Sequence, residues 1–341
     1  GIKRVPPGSS VRVRDGLRVR WWRPEEHGPA RRLSVEAAAT ELHDLLVEVI
    51  ADAVAGCPPN LAGGRSGIAA HLSGGLDSTL IALTASTALR AQGSALTCVA
   101  SWSPSPQDLP WVDVPGDAPA YDERDLVAEL AAEMAVPVLF GSASMANAPW
   151  LEQADAATQP QSTLGAESHL LPQYGGQHVR HVLSGWGGDE FASFNGRGTA
   201  RALARGLRVG PMRESYRQQR QRGTSVGRAG WRVAGPALPD LPWRRTTPEY
   251  EQRWNAIVSA AADQFPQFAA ERERVQRRLA HARSPRAVQL ALIDLGHLTR
   301  RIESWHAAGL RFGVRYHYPL LDLRLIEWAL TMPPEVFRVG G

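Results

Sequence analysis

HLSGGLDSTL, His71–Leu80, is the stretch on which the fold turns. Ile68 to Leu72 is a short apolar run of strand character, and from about Asp77 to Gln92 the apolar spacing becomes helical. Between them stand Ser73, Gly74 and Gly75. A strand that ends in two glycines and opens a helix collects bare N–H groups and a positive dipole end at one spot, which attracts phosphate. Gly74 and Gly75 carry no Cβ, so a ligand can approach the backbone closely. Ser73 and Ser78 add hydroxyl donors. Asp77 is the odd member, because a carboxylate beside phosphates is repelled unless Mg²⁺ lies between them. No lysine follows the glycines, so this is not a P-loop of the G-x-x-x-x-G-K-[ST] type.

Outward from this stretch the pattern alternates. Leu96–Trp102, Val136–Phe140 and Val179–Leu183 read as further strands, and Tyr121–Met134 and Gly165–Tyr174 as helices. Strands separated by helices predict an α/β fold with a doubly wound, mostly parallel sheet, which binds ligands at the carboxyl ends of its strands. Upstream, Val11–Val13 and Leu17–Trp22 flank Asp15-Gly16 as a hairpin, Glu25–Arg32 is a polar linker, and Ser34 caps a helix running to Ala55. A Gly/Pro loop spans Gly56–Ser66. From about residue 200 the chain reads as mainly helical, broken by a Gly/Pro/Trp-rich stretch, Gly223–Trp243. The expected organisation is therefore a hairpin and linker at 1–32, the α/β domain at 33–200, and a helical part at 201–341.

The last of these strands runs into VLSGWGGDEFASFNGRG, Val182–Gly198, with adjacent carboxylates Asp189 and Glu190. Alone, such a pair is an ordinary solvated helix start. With Asp77 delivered to the same sheet edge, Asp77 and Asp189 can share Mg²⁺ across a triphosphate.

Composition narrows the classes. With 341 residues, 43% hydrophobic and 21% charged, the chain can build a core and is not disordered. No apolar run reaches the about 18 residues a membrane span requires, and the opening lacks a secretory apolar region. Two cysteines, Cys57 and Cys98, supply neither a disulfide framework nor a four-ligand zinc site, which suits a reducing cytoplasm. His169 and His178 have no ligand spacing. Lys3 is the sole lysine, and between Arg201 and Arg286 there are 18 Arg against 7 acids. That excess suits an acidic partner or nucleic acid, but solvated helix faces whose stems cover apolar surface explain it with less.

The run Ser73–Ser78 resembles the pyrophosphate-binding loop of the ATP pyrophosphatase superfamily. Val182–Gly198, with S-G-x-G-x-D-E, resembles the synthetase half of the asparagine synthetase family. RYHYPLLDLRLIEWALTMPPEVF, Arg315–Phe337, resembles that family's E-x-R-x-P-[FL]-L-D segment and the helix after it, and Gly1–Trp22 resembles the strand pair that follows the family's glutaminase half. The resemblance implies ATP and Mg²⁺, with AMP and pyrophosphate released as an acyl-adenylate forms. It implies ATP contacts at Leu72, Ser73, Gly74, Gly75, Asp77, Ser78, Ser101, Ser184 and Gly185, and metal contacts at Asp77 and Asp189.

Departures from the family pattern sharpen the expectation. The glutaminase half is missing, and the chain stops at Gly341 before the family's lysine-bearing segment. Trp186 stands where asparagine synthetases carry a glutamate associated with ammonia, and an indole cannot accept a proton as a carboxylate does. The form S-G-W-G-G-D-E-F-x-S-F-N-G-R-G and the segment Arg301–Ser304 are most similar to lasso peptide cyclases. That similarity implies a precursor peptide whose Asp or Glu side chain is adenylated and then attacked by the peptide's own α-amine, closing a macrolactam. It also implies a leader peptidase and a leader-binding protein as partners.

Trp186, Glu190, Arg301 and Glu303 are the catalytic candidates. Arg301 and Glu303 lie two apart on a predicted helix and do not face each other. Asp322 reads as a helix cap, His71, His317 and Tyr318 as substrate contacts or core, and the Trp-rich half as a lid and peptide mould. The alternatives are an asparagine synthetase or another small-molecule amide or β-lactam synthetase, an Arg-rich nucleic-acid-binding protein, and an inactive scaffold. Nucleic-acid binding is not expected.

Overall fold

The structure, a computed structural model, describes residues 5–28, 31–57, 66–104, 123–141, 165–194, 196–221, 223–235, 274–275, 277–279 and 282–338. Packing divides the chain into two units. One comprises Ala39–Ser193 with Gly296–Trp328, and the other comprises Gly1–Ala38, Phe194–Leu295 and Ala329–Gly341.

The first unit contains the sheet. Its strands are β3 (Ile68–His71), β4 (Cys98–Pro104), β5 (Val138–Gly141), β6 (His181–Leu183) and β7 (Arg315–His317). They lie in the order β5-β4-β3-β6-β7, and every neighbouring pair is parallel. This is the doubly wound sheet that the alternating pattern predicts. The alternating pattern marks four of these strands; β7, with only three residues, is an addition to it.

Side chains alternate between two cores. Ile68, Ala70, Leu72, Val99 and Leu183 face one side, together with Val49 and Ile50 of α1 (Val35–Ala55), Ile81 and Leu89 of α2 (Leu76–Ala91), Val127 and Ala131 of α3 (Arg124–Met134), and Leu325 of a later helix, Leu323–Thr331. Ala69, Cys98, Ala100 and Val182 face the other, with Leu170, Leu171 and Tyr174 of α4 (Gly165–Gly176) and Trp305 and Ala308 of a helix spanning His297–Leu310. Burial on both faces explains why β3 reads Ile-Ala-Ala-His rather than alternating polar and apolar. Cys57 and Cys98 are both buried and unbridged.

In the second unit, β1 (Ser9–Arg12) and β2 (Leu17–Arg20) form the hairpin, with Ser9 opposite Arg20. Asp15 Oδ1 accepts from Leu17 N at 3.1 Å, and Gly16 supplies φ +69°. The strand ends two residues short of Trp22, which turns inward and is buried. The expected linker carries a short 3₁₀ turn, Pro24–Glu26. Ser34 does cap α1, accepting from Ala37 N at 3.2 Å. Helices α5 (Thr199–Arg205), α6 (Val209–Gln221), α7 (Val226–Ala234) and α8 (Pro285–Asp294) follow; the helices His297–Leu310 and Leu323–Thr331 are α9 and α10. Phe194, Val288 and Leu292 form a small core on which Phe337 packs edge-on to Phe194 at 5.3 Å.

Much of the Gly56–Ser66 loop, residues 236–243 of the Trp-rich stretch and residues 236–273 of the Arg-rich region lie outside the described residues. Among the described residues no helix is long and apolar enough to cross a membrane.

Candidate active site

The strand order reverses between β3 and β6, since β4 and β5 lie on one side of β3 while β6 and β7 lie on the other. At such a switch point the loops leaving two neighbouring strands diverge and open a crevice. The two motifs occupy this place: Leu72–Ser78 leaves β3 and Ser184–Glu190 leaves β6. A cavity of about 420 Å³ opens there, lined by both loops together with Ala100 and Trp102 of β4.

The first loop is braced by its own hydroxyls. Ser73 Oγ and Ser78 Oγ are 2.8 Å apart, Ser73 N donates to Ser78 Oγ at 3.0 Å, and Gly75 N donates to Ser73 Oγ at 3.2 Å. Gly75 is the N-cap of α2 and offers no side chain to its first turn. Gly74 N donates to a carboxylate oxygen of Glu123 at 3.1 Å. The loop therefore already holds an anionic oxygen, and a phosphate oxygen presents the same kind of acceptor.

The second loop presses against the first. A Cβ on Gly185 would stand 2.9 Å from Ser78 N, and one on Gly188 would stand 2.1 Å from Asp77 Oδ2. Gly187 has φ +103° and lies under Leu321, which a Cβ would meet at 2.4 Å. The glycines of G-W-G-G are thus read as space for Ser78, Leu321 and Asp77. Asp77 and Asp189 both line the cavity, so the two aspartates converge. Burial raises the Asp77 carboxyl above its ordinary value; a bond from Ser193 Oγ at 2.9 Å opposes this, and the neighbouring Asp189 and Glu190 raise it further. Crowded carboxylates of this kind lose their mutual repulsion when a divalent cation sits among them.

Trp186 forms a wall with Arg301 of α9, whose guanidinium stacks 4.3 Å from the Trp186 ring and 5.1 Å from the Trp305 ring. Burial lowers the Arg301 pKa, while Glu190 and Tyr318 pull it back up. Among the described residues, Arg301 Nε has no hydrogen-bond partner. Glu190 is buried at 6% exposure, and Glu303 lies on an exposed part of α9. Leu72, Ser73, Gly75, Ser78, Ser184 and Gly185 line the cavity; Ser101 is enclosed within β4, 1% exposed, between the lining residues Ala100 and Trp102. Asp322 accepts from Arg324 N at 2.9 Å and caps α10.

Sequence reading missed the polar core behind this wall. Glu167 of α4 is fully buried and accepts from Trp102 Nε1 at 2.7 Å, Tyr174 OH at 3.3 Å and Tyr316 OH, and it pairs with His71 Nε2 at 3.1 Å. His71 Nδ1 in turn lies 3.2 Å from Ser184 Oγ. A chain of polar contacts thus runs from the second loop through the cavity-lining His71 to a buried carboxylate. Its trace in the sequence is that Glu167, Leu170, Leu171 and Tyr174 fall at i, i+3, i+4 and i+7, an acid on the apolar stripe of a helix.

A family model described as asparagine synthase matches residues 61–341. No curated protein matches the chain.

Proposed function

The chain belongs to the asparagine synthase family, and from that premise we propose that it closes a macrolactam in a precursor peptide, through an acyl-adenylate, as lasso peptide cyclases do. Membership makes it an ATP-dependent ligase that forms carbon–nitrogen bonds. The finer reading concerns which carboxylate and which amine are joined.

One observation carries it: Trp186 lines the crevice in which Asp77 and Asp189 meet, with the Arg301 guanidinium stacked on its ring. In this reading Asp77 and Asp189 hold Mg²⁺, which supplies charge neutralisation for departing pyrophosphate. The Ser73–Ser78 loop and the first turn of α2 cradle phosphates by N–H donation and dipole. The Arg301 guanidinium, stacked on the Trp186 ring, receives the peptide carboxylate and aligns its oxygen on the α-phosphorus. Glu190 keeps the guanidinium charged in its half-buried place. Trp186 excludes water that would hydrolyse the adenylate, and offers no carboxylate to hold ammonium. The α-amine, once neutral, needs chiefly proximity, because the acyl group is already activated. A leader peptidase and a leader-binding protein are the partners that this reading calls for.

The test is incubation with ATP, Mg²⁺ and leader-free forms of short peptides encoded beside the gene. A product lighter by one water, with AMP and pyrophosphate in equal amount, supports the reading. Asparagine from aspartate and ammonia would replace it with the small-molecule alternative, which the family match accommodates equally; ADP and phosphate would refute the adenylate.

A further inference from the structure

On the face of the sheet covered by α1, three side chains that the ligase chemistry leaves unused converge. Cys57 follows the last turn of α1 and is buried, its thiol donating to Ala53 O at 3.2 Å. Its Sγ lies 3.6 Å from His317 Nε2, and the same nitrogen lies 2.9 Å from His181 Nδ1. Register explains the meeting of the two imidazoles. In the parallel pair β6–β7, His181 is opposite Arg315 and Leu183 opposite His317, so His181 and His317 are diagonal neighbours on one face. One ligand atom from each of the three residues lies within 4.8 Å of the others.

Burial keeps this cluster uncharged. It pushes the Cys57 thiol up to about 11 and His317 down to about 4, the latter helped by His181 and Arg315. His181 is also lowered, first by burial and then by Arg315. Both imidazoles are therefore neutral at pH 7, the state in which a ring nitrogen ligates a metal. His317 Nε2 is approached at once by the Cys57 sulfur and the His181 ring nitrogen, so three ligating atoms crowd one point.

We propose that Cys57, His181 and His317 form a site for a borderline-soft divalent metal, zinc by its donor set, distinct from the carboxylate site for Mg²⁺. Around a tetrahedral zinc with bonds of about 2.0–2.1 Å to nitrogen and 2.3 Å to sulfur, neighbouring nitrogens stand about 3.3 Å apart and sulfur stands about 3.6 Å from nitrogen. The Cys57–His317 spacing already has that value, and the two nitrogens need part by only a few tenths of an ångström. Among the described residues no fourth Cys, His, Asp or Glu joins the group, so water completes the coordination. Sulfur and imidazole donors favour zinc over magnesium, whereas carboxylate oxygens are the donors that suit magnesium. The charge that opposes a cation here is Arg315, which is exposed. Binding expels the thiol proton and ties the end of α1 to β6 and β7. Ser184, which lines the crevice, donates its backbone N–H to His317 O at 2.9 Å.

The test uses the whole chain, freed of metal by a chelator and kept in excess Mg²⁺. One equivalent of Co²⁺ should give a thiolate-to-cobalt charge-transfer band that Zn²⁺ abolishes by displacement. Cys57→Ser should remove the sulfur band, and His317→Ala should weaken zinc binding at least about a hundredfold. Zinc should raise the melting temperature of the wild type and not that of Cys57→Ser. Absence of the sulfur band in wild-type protein with native circular dichroism would overturn the proposal, as would equal zinc affinity in Cys57→Ser.

Discussion

Asp77 shows in one side chain what crowding carboxylates into a crevice costs the fold. Its folded pKa is raised, so its ionised form is disfavoured by the fold. The stabilisation linked to its proton is fully present below its ordinary value of 3.8 and is lost as pH rises through the raised value. At neutral pH the charge is therefore a burden unless a cation joins it. Asp77→Asn should raise the melting temperature of the ligand-free protein at pH 7 while cutting ATP–pyrophosphate exchange by at least about a hundredfold. A lower melting temperature in that variant would contradict the electrostatic account. The glycines of the second loop separate fold from function more finely. In Gly188→Ala the new methyl meets the end of the Asp77 side chain, which can swing away, so the fold should survive and exchange should collapse. In Gly185→Ala it meets the Ser78 backbone, which cannot, and a loss of about 1–3 kcal/mol should appear in urea melts. These residues were legible from the sequence because a glycine between a strand and a helix, beside an unpaired acid, has few purposes. Ser101 was carried over by resemblance and lies enclosed in its strand, while Glu123, which holds the Gly74 amide, gave no signal.

Elements meet at Glu167. The residues that bond to it come from β3 (His71), β4 (Trp102), α4 itself (Tyr174) and β7 (Tyr316), so one carboxylate fastens three strands and a helix. Burial alone would raise its pKa; attraction to His71 and the bonds from His71, Tyr316 and Trp102 outweigh this, and the pKa is lowered. The sign is then opposite to that of Asp77. Its stabilisation is present above the ordinary value of 4.5 and is lost as pH falls through the depressed value. Glu167→Gln should cost about 3 kcal/mol in urea melts at pH 7, because it leaves His71 without its buried partner. Below pH 4.5 the gap between variant and wild type should narrow as the wild type loses the same interaction; a gap independent of pH would show that packing rather than charge holds the site. The alternation of strands and helices from β3 to β6 was readable because β3 and β6 are buried on both faces as short apolar runs and each helix has its own apolar period. β7 was not, because three residues, Arg315–His317, span too little for a period of two to declare itself, and their partner strand is far away in sequence.

At the scale of the whole molecule, the late part of the chain closes both packing units. Gly296–Trp328 returns to the sheet, placing Trp305 in one core and Leu320 and Leu325 in the other, each fully buried. In the second unit, Phe337 covers Phe194 and Glu335 pairs with Arg208. Burying a large apolar side chain contributes about 1.5–3 kcal/mol, so losing these residues with the β6–β7 ladder removes on the order of 10 kcal/mol. That equals the whole stability of an ordinary domain, about 5–15 kcal/mol. A chain ending at Leu295 should therefore not merely melt earlier. It should lack a cooperative transition, because β6 becomes an open edge and Glu167 loses the Tyr316 hydroxyl. Calorimetry and near-ultraviolet circular dichroism of the shortened chain would check this, and a cooperative melt near the full-length midpoint would refute it. The same topology bears on folding rate, since β6 can pair with β7 only after His181 finds Arg315 across more than a hundred intervening residues. Closing so long a loop delays the non-local contacts that make it worthwhile, so refolding should be slow compared with helical bundles of similar stability. Tyr316→Phe, which keeps the ring and removes the bond to Glu167, should speed unfolding more than it slows refolding if this closure is the last event.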